Sequence, residues 1–411
     1  MTKRILLYGA TGYSGRLIAA AARREVERLS LPVELEVVLG GRDRIALREL
    51  SGGFDLDYVA FALDDRARVE STLAGFDVVI NAAGPFAHTG VRLAKVAIAN
   101  GCHYVDINGE VDVYKALDDL GRLAEGRGVT MVSGAGFTAT VSDMMLHWAL
   151  KLLEDSGLSV RSLGVVRIAI SQSLHFSRGS LLTMLRSVRE EVTLVRNRRF
   201  VHVPVGRLER SFDFGRTPTD APGTSGLRIA SAINMLDTLT ASHTLRGHGV
   251  VAGSIESYAD MPRPVRYLYQ LGALSTMLFQ LPLVGSLNGF QISQLPEGPD
   301  EEERQQSRET VLLQIESPYR ELWVDWRMET PNSYDFTARS ALAVAGRVAA
   351  GIGPPLSGWC TPSRVLALPV AVDSFFTKQP AILTMFPFVN CELEGRPVMA
   401  AVSEPSQVGH G

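Results

Sequence analysis

The stretch Gly9-Ala10-Thr11-Gly12-Tyr13-Ser14-Gly15 follows a short apolar run, Arg4 to Tyr8, and precedes an alanine- and arginine-rich segment, Arg16 to Leu29. This order predicts a strand, a glycine-rich turn and a helix. Such a turn lets the backbone approach a ligand closely, and the free amides at the helix N-terminus favour an anion such as a diphosphate. The candidate dinucleotide-binding residues here are Gly9, Thr11, Gly12, Tyr13, Ser14 and Gly15.

The segments that follow alternate between strands and helices. Helices are predicted over Gly90 to Asn100 and Tyr114 to Arg127, between apolar strands at Val33 to Leu39, Asp77 to Asn81, His103 to Ile107 and Val129 to Ser133. Helices of this length between strands predict right-handed crossovers and a parallel sheet that is covered on both faces. We therefore expect an α/β fold in which residues 1–135 form a Rossmann domain with a doubly wound parallel sheet.

The pattern changes after Gly136. Longer strand-like runs, such as Leu163 to Ile170 and Leu312 to Ile315, alternate with loops rich in glycine and proline. They predict a C-terminal α+β domain with an antiparallel sheet over residues 136–335, which would carry the substrate site. An alanine-rich helix, Tyr334 to Gly351, is expected to begin a C-terminal segment, 336–411, that returns to the Rossmann domain.

The end of the second strand bears on which dinucleotide is bound. A site for NAD places Asp or Glu there to hold the ribose 2′-hydroxyl, whereas this chain has Gly40-Gly41-Arg42. A guanidinium binds a 2′-phosphate in bidentate fashion, so Gly41 and Arg42 favour NADP(H); a solvated loop arginine is the alternative. Asp43 lies past the turn.

A second glycine-containing segment is expected at the nicotinamide half of the site. Small residues there let the backbone approach the ribose, and the cofactor-binding candidates are Asn81, Ala82, Ala83, Gly84 and Pro85. Polar side chains near the neighbouring strand ends, Glu110, His88 and Tyr104, are catalytic candidates that would donate or orient a proton. Helix capping or a loop hydrogen bond is the alternative for each.

Composition excludes several classes of protein. A formal net charge of −3 argues against nucleic-acid binding through bulk charge. Three cysteines far apart, Cys102, Cys360 and Cys391, exclude a disulfide scaffold and a clustered zinc site, so no metal is expected and a cytoplasmic location fits. No tyrosine is followed four residues later by lysine, which excludes the tyrosine–lysine chemistry of short-chain dehydrogenases.

Other polar and apolar segments leave alternatives open. His175 to Ser180 and His243 are either ligand-binding or structural, and Pro296 to Arg304 is interpreted as a solvated turn. The arginine-rich stretch from Arg186 to Arg210 is a solvated face, or it docks an acidic carrier protein or an anionic lipid. The charge-free segment Tyr267 to Pro296 favours a buried apolar helix pair or a surface that touches lipid over a membrane span.

Together these segments resemble the saccharopine dehydrogenase-like oxidoreductases, and within them the branch that includes trans-acting enoyl reductases of lipid and polyketide synthesis. The matching segments are Gly9 to Gly15, Gly40 to Arg42, Asn81 to Gly90, His103 to Glu110, Gly134 to Asp143, Ser177 to Leu185 and Tyr334 to Val348. The resemblance implies an NADP-binding Rossmann domain with cofactor contacts at the first three segments, and a C-terminal domain that covers the nicotinamide.

The function expected is an NADPH-dependent oxidoreductase that reduces an activated double bond, in an enoyl or related intermediate of lipid or specialised-metabolite biosynthesis. Its expected partners are an apolar or acyl small molecule and a second copy of the chain, with membrane or carrier-protein contact left open. One alternative is an imine reductase or amino-acid dehydrogenase of the saccharopine type. Another is a catalytically silent dinucleotide sensor or lipid-surface protein.

Overall fold

The computed structural model describes residues 2–155, 160–171, 176–180, 191–215, 226–261, 263–270, 296–352 and 357–366. It also describes the backbone of 382–385, 392–393 and 396–397. Of the predicted segments, His175, Arg186, Arg189 and most of Tyr267 to Pro296 lie outside these residues.

A parallel seven-stranded sheet forms the N-terminal part of the fold. Its strands are β1 (Thr2–Tyr8), β2 (Glu34–Gly41), β3 (Tyr58–Ala60), β4 (Val78–Asn81), β5 (His103–Asp106), β6 (Thr130–Val132) and β15 (Gly358–Cys360). They lie in the order β15-β6-β5-β4-β1-β2-β3. The order reverses between β1 and β4, and ligands of such sheets bind beyond the carboxyl ends of the strands at that point. The predicted Rossmann fold is confirmed.

The strand register places the predicted site residues in one row. Tyr8, the last residue of β1, lies opposite Gly40 of β2 and Asn81 of β4, and Asn81 lies opposite Asp106 of β5. Because all four strands run in the same direction, the segments that follow these residues leave the sheet at one edge. The glycine-rich turn, Arg42 and the Ala82–Pro85 segment are therefore neighbours.

The helices of this domain cover both faces of the sheet. They are α1 (Tyr13–Glu25), α2 (Arg44–Phe54), α3 (Arg66–Leu73), α4 (Phe86–Ala99), α5 (Val111–Asp118) and α6 (Gly121–Glu125). A 3-10 turn, Val26–Leu29, continues α1. The single helix predicted over Tyr114 to Arg127 is in fact two, because the chain turns at Asp119 and Leu120. No prediction had been made for α2, β3 and α3.

The second sheet is mixed rather than purely antiparallel. Its path is β10 (Glu209–Asp213), β11 (Leu227–Ala232), β12 (Val251–Asp260), β7 (Ser162–Ser171), β13 (Arg308–Glu316), β14 (Leu322–Pro331) and β16 (Ile382–Met385). β8 (Val192–Arg196) pairs with β12 and with β9 (Arg199–Val203). Only β7 and β12 run parallel along this path, so an antiparallel sheet was predicted correctly apart from that pair. A separate hairpin joins β17 (Glu392–Leu393) and β18 (Arg396–Pro397).

Five further helices lie wholly within the described residues. They are α7 (Phe137–Asp155), α8 (Asp237–Gly247), α9 (Arg263–Gln270), α10 (Glu301–Gln306) and α11 (Ser333–Ala349), and a 3-10 turn spans Pro362–Arg364. α11 lies against the end of β6, where Ser340 Oγ donates to the Ala135 carbonyl oxygen at 2.5 Å. Among the described residues, no helix combines the length and apolarity needed to cross a bilayer.

Candidate active site

The three glycines of the turn after β1 have different environments. Gly9 has φ +88°, and a Cβ there would lie 2.6 Å from the Ala83 backbone nitrogen. A Cβ on Gly15 would collide with the Gly9 carbonyl. At Gly12, by contrast, a Cβ would meet only the Gly9 carbonyl oxygen, at an ordinary 3.4 Å. Close backbone packing therefore requires glycine at positions 9 and 15. It does not require glycine at position 12, where the missing side chain leaves space in front of the turn.

Two helices begin at the point where the strand order reverses, and only one of them is capped by a side chain. Gly12 precedes α1 and provides no side-chain cap. The N-terminus of α4 is capped by Glu110, whose Oε1 accepts from the Phe86 amide at 2.9 Å and whose Oε2 accepts from the Ala87 amide at 3.0 Å. The partial positive charge of α1 therefore faces an open position, which suits a diphosphate.

Arg42 and Asp43 follow the end of β2 and have different surroundings. The Gly40 carbonyl oxygen accepts from the amides of Gly9 and Ala10, at 2.9 and 3.1 Å. Asp43 turns away from this edge to cap α2, because its Oδ1 accepts from the Ile45 amide at 3.0 Å. Arg42 is exposed. The residue next to the turn is thus a cation, as the NADP(H) interpretation requires.

A second arginine lies at the same edge. Arg92 of α4 donates to the Leu63 carbonyl at 3.2 Å and to Asp64 Oδ1 at 2.7 Å, in the loop after β3. Burial raises the pKa of the Tyr8 hydroxyl, and the positive charges of Arg42 and Arg92 oppose that rise. Tyr8 therefore lies in the field of both guanidinium groups.

Asn81 organises the end of β4. It is fully buried, its Oδ1 accepts from the Ala83 amide at 3.1 Å, and its Nδ2 donates to the Tyr104 hydroxyl oxygen at 3.1 Å. Thr89 closes the turn by donating to the Ala83 carbonyl at 2.6 Å. These bonds fix the backbone from Ala82 to Pro85, and the peptide bond before Pro85 is cis.

The three proton-donor candidates lie in very different environments. Tyr104 is completely buried behind Asn81, and burial raises its pKa well above the usual value. Both carboxylate oxygens of Glu110 accept helix amides, as described above. His88 is exposed in the first turn of α4. Of the three, Tyr104 is buried, Glu110 is half-buried and His88 is exposed, and a catalytic role for any of them stays a prediction.

Asp106 ties β5 to β6 beneath this edge. Its Oδ1 accepts from the Asn108 amide at 3.0 Å, the Ser133 hydroxyl at 3.0 Å and the Gly134 amide at 2.8 Å. Burial raises the pKa of Asp106 to about 6, and these hydrogen bonds oppose the rise. The carboxylate is thus a structural tie between two strand ends.

Most residues of the segment Pro296 to Arg304 are exposed, as its charge predicts, but the segment also contacts the glycine-rich turn. Tyr13 donates to the Pro299 carbonyl at 2.6 Å, and a Cβ on Gly298 would lie 2.6 Å from the Tyr13 ring. Arg16 of α1 donates to the Thr11 carbonyl at 2.7 Å and forms an ion pair with Glu297. Asp300 forms a capping box with Glu303 at the start of α10. We call residues 296–304 the strap, because they hold the glycine-rich turn from the side of the second domain.

Ser177 and Ser180 lie close to the strap. The Tyr334 hydroxyl accepts from the Ser177 amide at 2.6 Å and donates to Ser180 Oγ at 2.9 Å, while Ser177 Oγ accepts from the Ser180 amide at 3.2 Å. The Tyr334 ring packs edge-on against Tyr13, with centroids 5.0 Å apart. These bonds cap the helical turn that begins at Arg178. Anion binding by Ser177 and Ser180 stays a prediction.

The other predicted polar candidate, His243, lies beside α5. Its Nε2 is 3.1 Å from Asp118 Oδ2, and its ring lies 4.4 Å from that of Trp359. These contacts connect α8 to α5 and β15, at the β15 edge of the parallel sheet. They provide a structural role for His243.

Comparison with known proteins agrees with this geometry. Residues 5–132 match the model of the saccharopine dehydrogenase NADP binding domain. This match covers about a third of the chain, the part that contains β1 to β6. The resemblance found in the sequence is therefore confirmed, and with it a site for a nicotinamide dinucleotide.

Two curated relatives each match about a third of the chain. A trans-acting enoyl reductase of Mycobacterium leprae (strain TN) is 29% identical over 150 residues, which are 35% of this chain and 34% of the relative. A lipid droplet localized protein of Caenorhabditis elegans is 29% identical over 160 residues, or 36% of each chain. The matched part thus spans about a third of the length of these relatives.

Two solved structures share the fold over nearly the whole chain. Apo saccharopine dehydrogenase (L-Glu forming) from Saccharomyces cerevisiae has a TM-score of 0.58 at 14% identity, covering 93% of this chain and 100% of that chain. Homospermidine synthase from Legionella pneumophila, in complex with NAD, has a TM-score of 0.58 at 9% identity, covering 99% and 97%. At these identities the likeness concerns the fold, including the second sheet.

Proposed function

We propose that this protein is an NADPH-dependent reductase that acts on an activated double bond of an acyl-type substrate. The observation that carries the proposal is the uncapped N-terminus of α1 at the switch point, in front of a Gly12 that packing does not require. A diphosphate is the ligand that such a helix end and such a glycine accommodate. The match of residues 5–132 to an NADP binding domain supports the same conclusion.

Each part of the edge then has a role toward the cofactor. The amides of Thr11, Tyr13 and Ser14 would hold the diphosphate, and Arg42 would hold the 2′-phosphate. The Ala82–Pro85 backbone, fixed by Asn81, would position the nicotinamide half. The bound reduced nicotinamide supplies a hydride, while the protein orients the two reacting carbons and excludes water.

The substrate class rests on the relatives. The Mycobacterium leprae protein is named a trans-acting enoyl reductase, and the charge-free sequence from 271 to 295 favours an apolar partner. An enoyl thioester is therefore the substrate we propose first. A C=N bond is the one reduced in the alternative function, an imine reductase or saccharopine-type dehydrogenase, so a cyclic imine is the competitor that the assay must include.

Cofactor binding and turnover should be measured separately. Titration of NADPH and NADH, followed by nicotinamide fluorescence, tests the cofactor site; oxidation of NADPH is then followed with crotonyl-N-acetylcysteamine, a cyclic imine and a ketone in parallel. We expect tight binding of NADPH and turnover of the thioester. Absence of binding to both cofactors contradicts the proposal, and binding without turnover of any substrate supports a silent sensor instead.

Association with a lipid surface is a second candidate function. One observation favours it: the relative of 29% identity from Caenorhabditis elegans is named a lipid droplet localized protein. Flotation of the purified full chain with phosphatidylcholine vesicles, with and without anionic lipid, tests this candidate. Recovery of the protein with vesicles supports a peripheral association, and recovery only in the dense fraction contradicts it.

A further inference from the structure

Asp237 is a fully buried carboxylate with one unpaired oxygen. It is the first residue of α8 and is 0% exposed. Its Oδ1 accepts a hydrogen bond from Ser142 Oγ of α7 at 2.5 Å. Its Oδ2 is buried and has no hydrogen-bond partner of normal geometry among the described residues. A buried oxygen without a donor is costly unless the carboxyl carries a proton or serves a function.

The side chain beside this carboxylate is Thr138. Thr138 and Ser142 are one helical turn apart on α7, so both face Asp237, and the Thr138 hydroxyl contributes to stabilising the Asp237 carboxylate. Asp237 is buried completely, whereas Thr138 is only half-buried. Thr138 therefore lies between the carboxyl group and the outside of the protein.

Thr138 also lies at the edge of the sheet where the cofactor site is proposed. α7 begins directly after the loop Gly134–Gly136 at the carboxyl end of β6, and the Phe137 amide donates to Thr337 Oγ1 at 3.1 Å. A Cβ on Gly134 would lie 3.1 Å from Leu236, the residue before Asp237, and 3.8 Å from the Asn108 carbonyl. The start of α8 thus packs onto the strand ends that follow Asn81 in the sheet order.

Reduction of a double bond by hydride consumes one proton for each hydride. Two of the candidates from the sequence have other engagements, since Glu110 caps α4 and Tyr104 is buried behind Asn81, while the third, His88, is exposed in the first turn of α4. We infer that the Thr138 hydroxyl donates this proton and that Asp237 is the positioning residue that resupplies it. This inference rests on the proposed function, and it identifies the proton path of the same site.

A bound reduced nicotinamide would supply the hydride for the new C–H bond at the electrophilic carbon. The Thr138 hydroxyl would give its proton to the electron pair released from the double bond. The Thr138 oxygen then takes the proton of the Asp237 carboxyl group. After the product leaves, water returns a proton to Asp237 through Thr138. The substrate gains two hydrogens and the nicotinamide is oxidised.

The surroundings of Asp237 shift its equilibrium toward the protonated form. Burial raises its pKa to about 6, the neighbouring Asp143 raises it further, and the hydroxyls of Ser142 and Thr138 oppose the rise. Asp143 is itself buried and held by the Ser363 amide at 2.8 Å and by the Thr244 hydroxyl. Asp143, and the equally buried Asp106 whose pKa is also raised to about 6, are therefore the titratable groups that the test must separate from Asp237.

Infrared spectroscopy of the cofactor-free protein tests the pair without requiring turnover. Asp237→Asn should remove one carboxylic-acid carbonyl band that titrates near pH 6 in the wild type. Thr138→Val should move the midpoint of that band upward because the hydroxyl no longer stabilises the carboxylate, and Thr138→Ser should restore it. Thr72→Val, on the distant α3, is the matched control and should leave the band unchanged.

Turnover of crotonyl-N-acetylcysteamine provides the second measurement. Thr138→Val should lower the rate about a hundredfold with unchanged NADPH affinity, as loss of general acid catalysis does, and Thr138→Ser should recover most of it. An unchanged infrared band in Asp237→Asn, or an unmoved midpoint in Thr138→Val, overturns the inference. If Asp237→Asn does not fold, the infrared midpoints of the two Thr138 variants decide whether the inference holds. Failure of the wild type to bind NADPH would contradict the proposed function instead, while the infrared titration would still report on the pair.

Discussion

The hydroxyl of Tyr13, inside the glycine-rich turn, donates a hydrogen bond of 2.6 Å to the carbonyl of Pro299, 286 residues further along the chain. Arg304 strengthens this junction, because it donates to the same carbonyl at 3.0 Å and to Asp335 Oδ1 at 2.9 Å. The turn that would hold the diphosphate is thus supported by the strap of the second domain. Cofactor binding and domain contact are therefore physically linked.

Removal of that hydroxyl should weaken the junction. Tyr13→Phe should lower the free energy of unfolding by about 1 kcal/mol, the usual net value of one hydrogen bond, as measured by urea denaturation. Tyr319→Phe is the control, since Tyr319 is 86% exposed. Equal effects of the two substitutions would mean that the Tyr13–Pro299 bond contributes nothing specific.

Gly12→Ala should separate ligand binding from folding. The new Cβ meets only the Gly9 carbonyl at 3.4 Å, so the unfolding transition should stay close to that of the wild type. The methyl group would occupy the space of the diphosphate, and NADPH affinity should fall at least about tenfold, or roughly 1.4 kcal/mol. Gly53→Ala, where a Cβ meets nothing within 4 Å, is the control. Unchanged affinity would place the diphosphate elsewhere.

Arg42→Ala should alter cofactor preference. Loss of a charge-assisted bond to the 2′-phosphate should weaken NADPH by about 1–3 kcal/mol and leave NADH almost unchanged, as measured by fluorescence titration. Arg44→Ala removes an exposed charge two residues away and controls for general electrostatic attraction. Equal weakening of both cofactors by Arg42→Ala would contradict the specificity argument.

The elements nearest the cofactor edge were predictable because their signals are local. Apolar strands that end in glycine or asparagine gave β1, β2 and β4 to within a few residues, and the glycine spacing located the turn. Helix α5 and α6 were predicted as one because periodicity continues through Asp119 and Leu120. The second helix, α6, packs against β15, because a Cβ on Gly121 would lie 3.1 Å from Trp359. The residues of β15 are distant in sequence, so local periodicity does not reveal this contact.

The strap and the Thr138–Asp237 pair could not be found from local patterns. The charges of Pro296 to Arg304 are typical of a solvated turn, and only the tertiary structure brings Glu297 and Pro299 to Arg16 and Tyr13. Asp237 is one aspartate among many in the sequence until β12 and α7 bury it. Glu110 was found as a residue of interest, but its hydrogen bonds to two α4 amides required coordinates.

Glu110→Ala should act first on stability. It removes the acceptor of the Phe86 and Ala87 amides at the N-terminus of α4, and loss of such a cap costs about 1 kcal/mol. Glu110→Gln keeps an acceptor and should lose less, as measured by thermal or urea unfolding. A reduced turnover in Glu110→Gln with unchanged stability and NADPH affinity would instead support the catalytic assignment.

Asp106 should make stability depend on pH. Its pKa is about 6 in the folded protein and 3.8 for an unperturbed aspartate, so the folded state holds the proton more tightly than the unfolded chain. The resulting stabilisation is complete below about pH 4 and is lost as the pH rises through 6, at up to roughly 1.4 kcal/mol for each pH unit. Asp237, whose pKa is raised in the same direction, adds to the slope.

Asp106→Asn should therefore flatten the stability profile between pH 4 and pH 6. The asparagine carbonyl can still accept from the Gly134 and Asn108 amides, so the fold should survive, and the remaining slope should come from Asp237. Urea unfolding at several pH values measures the profile, with the exposed Asp119→Asn as control. If the variant and the wild type keep parallel profiles, Asp106 has an ordinary pKa, and the hydrogen bonds from Ser133, Gly134 and Asn108 compensate fully for its burial.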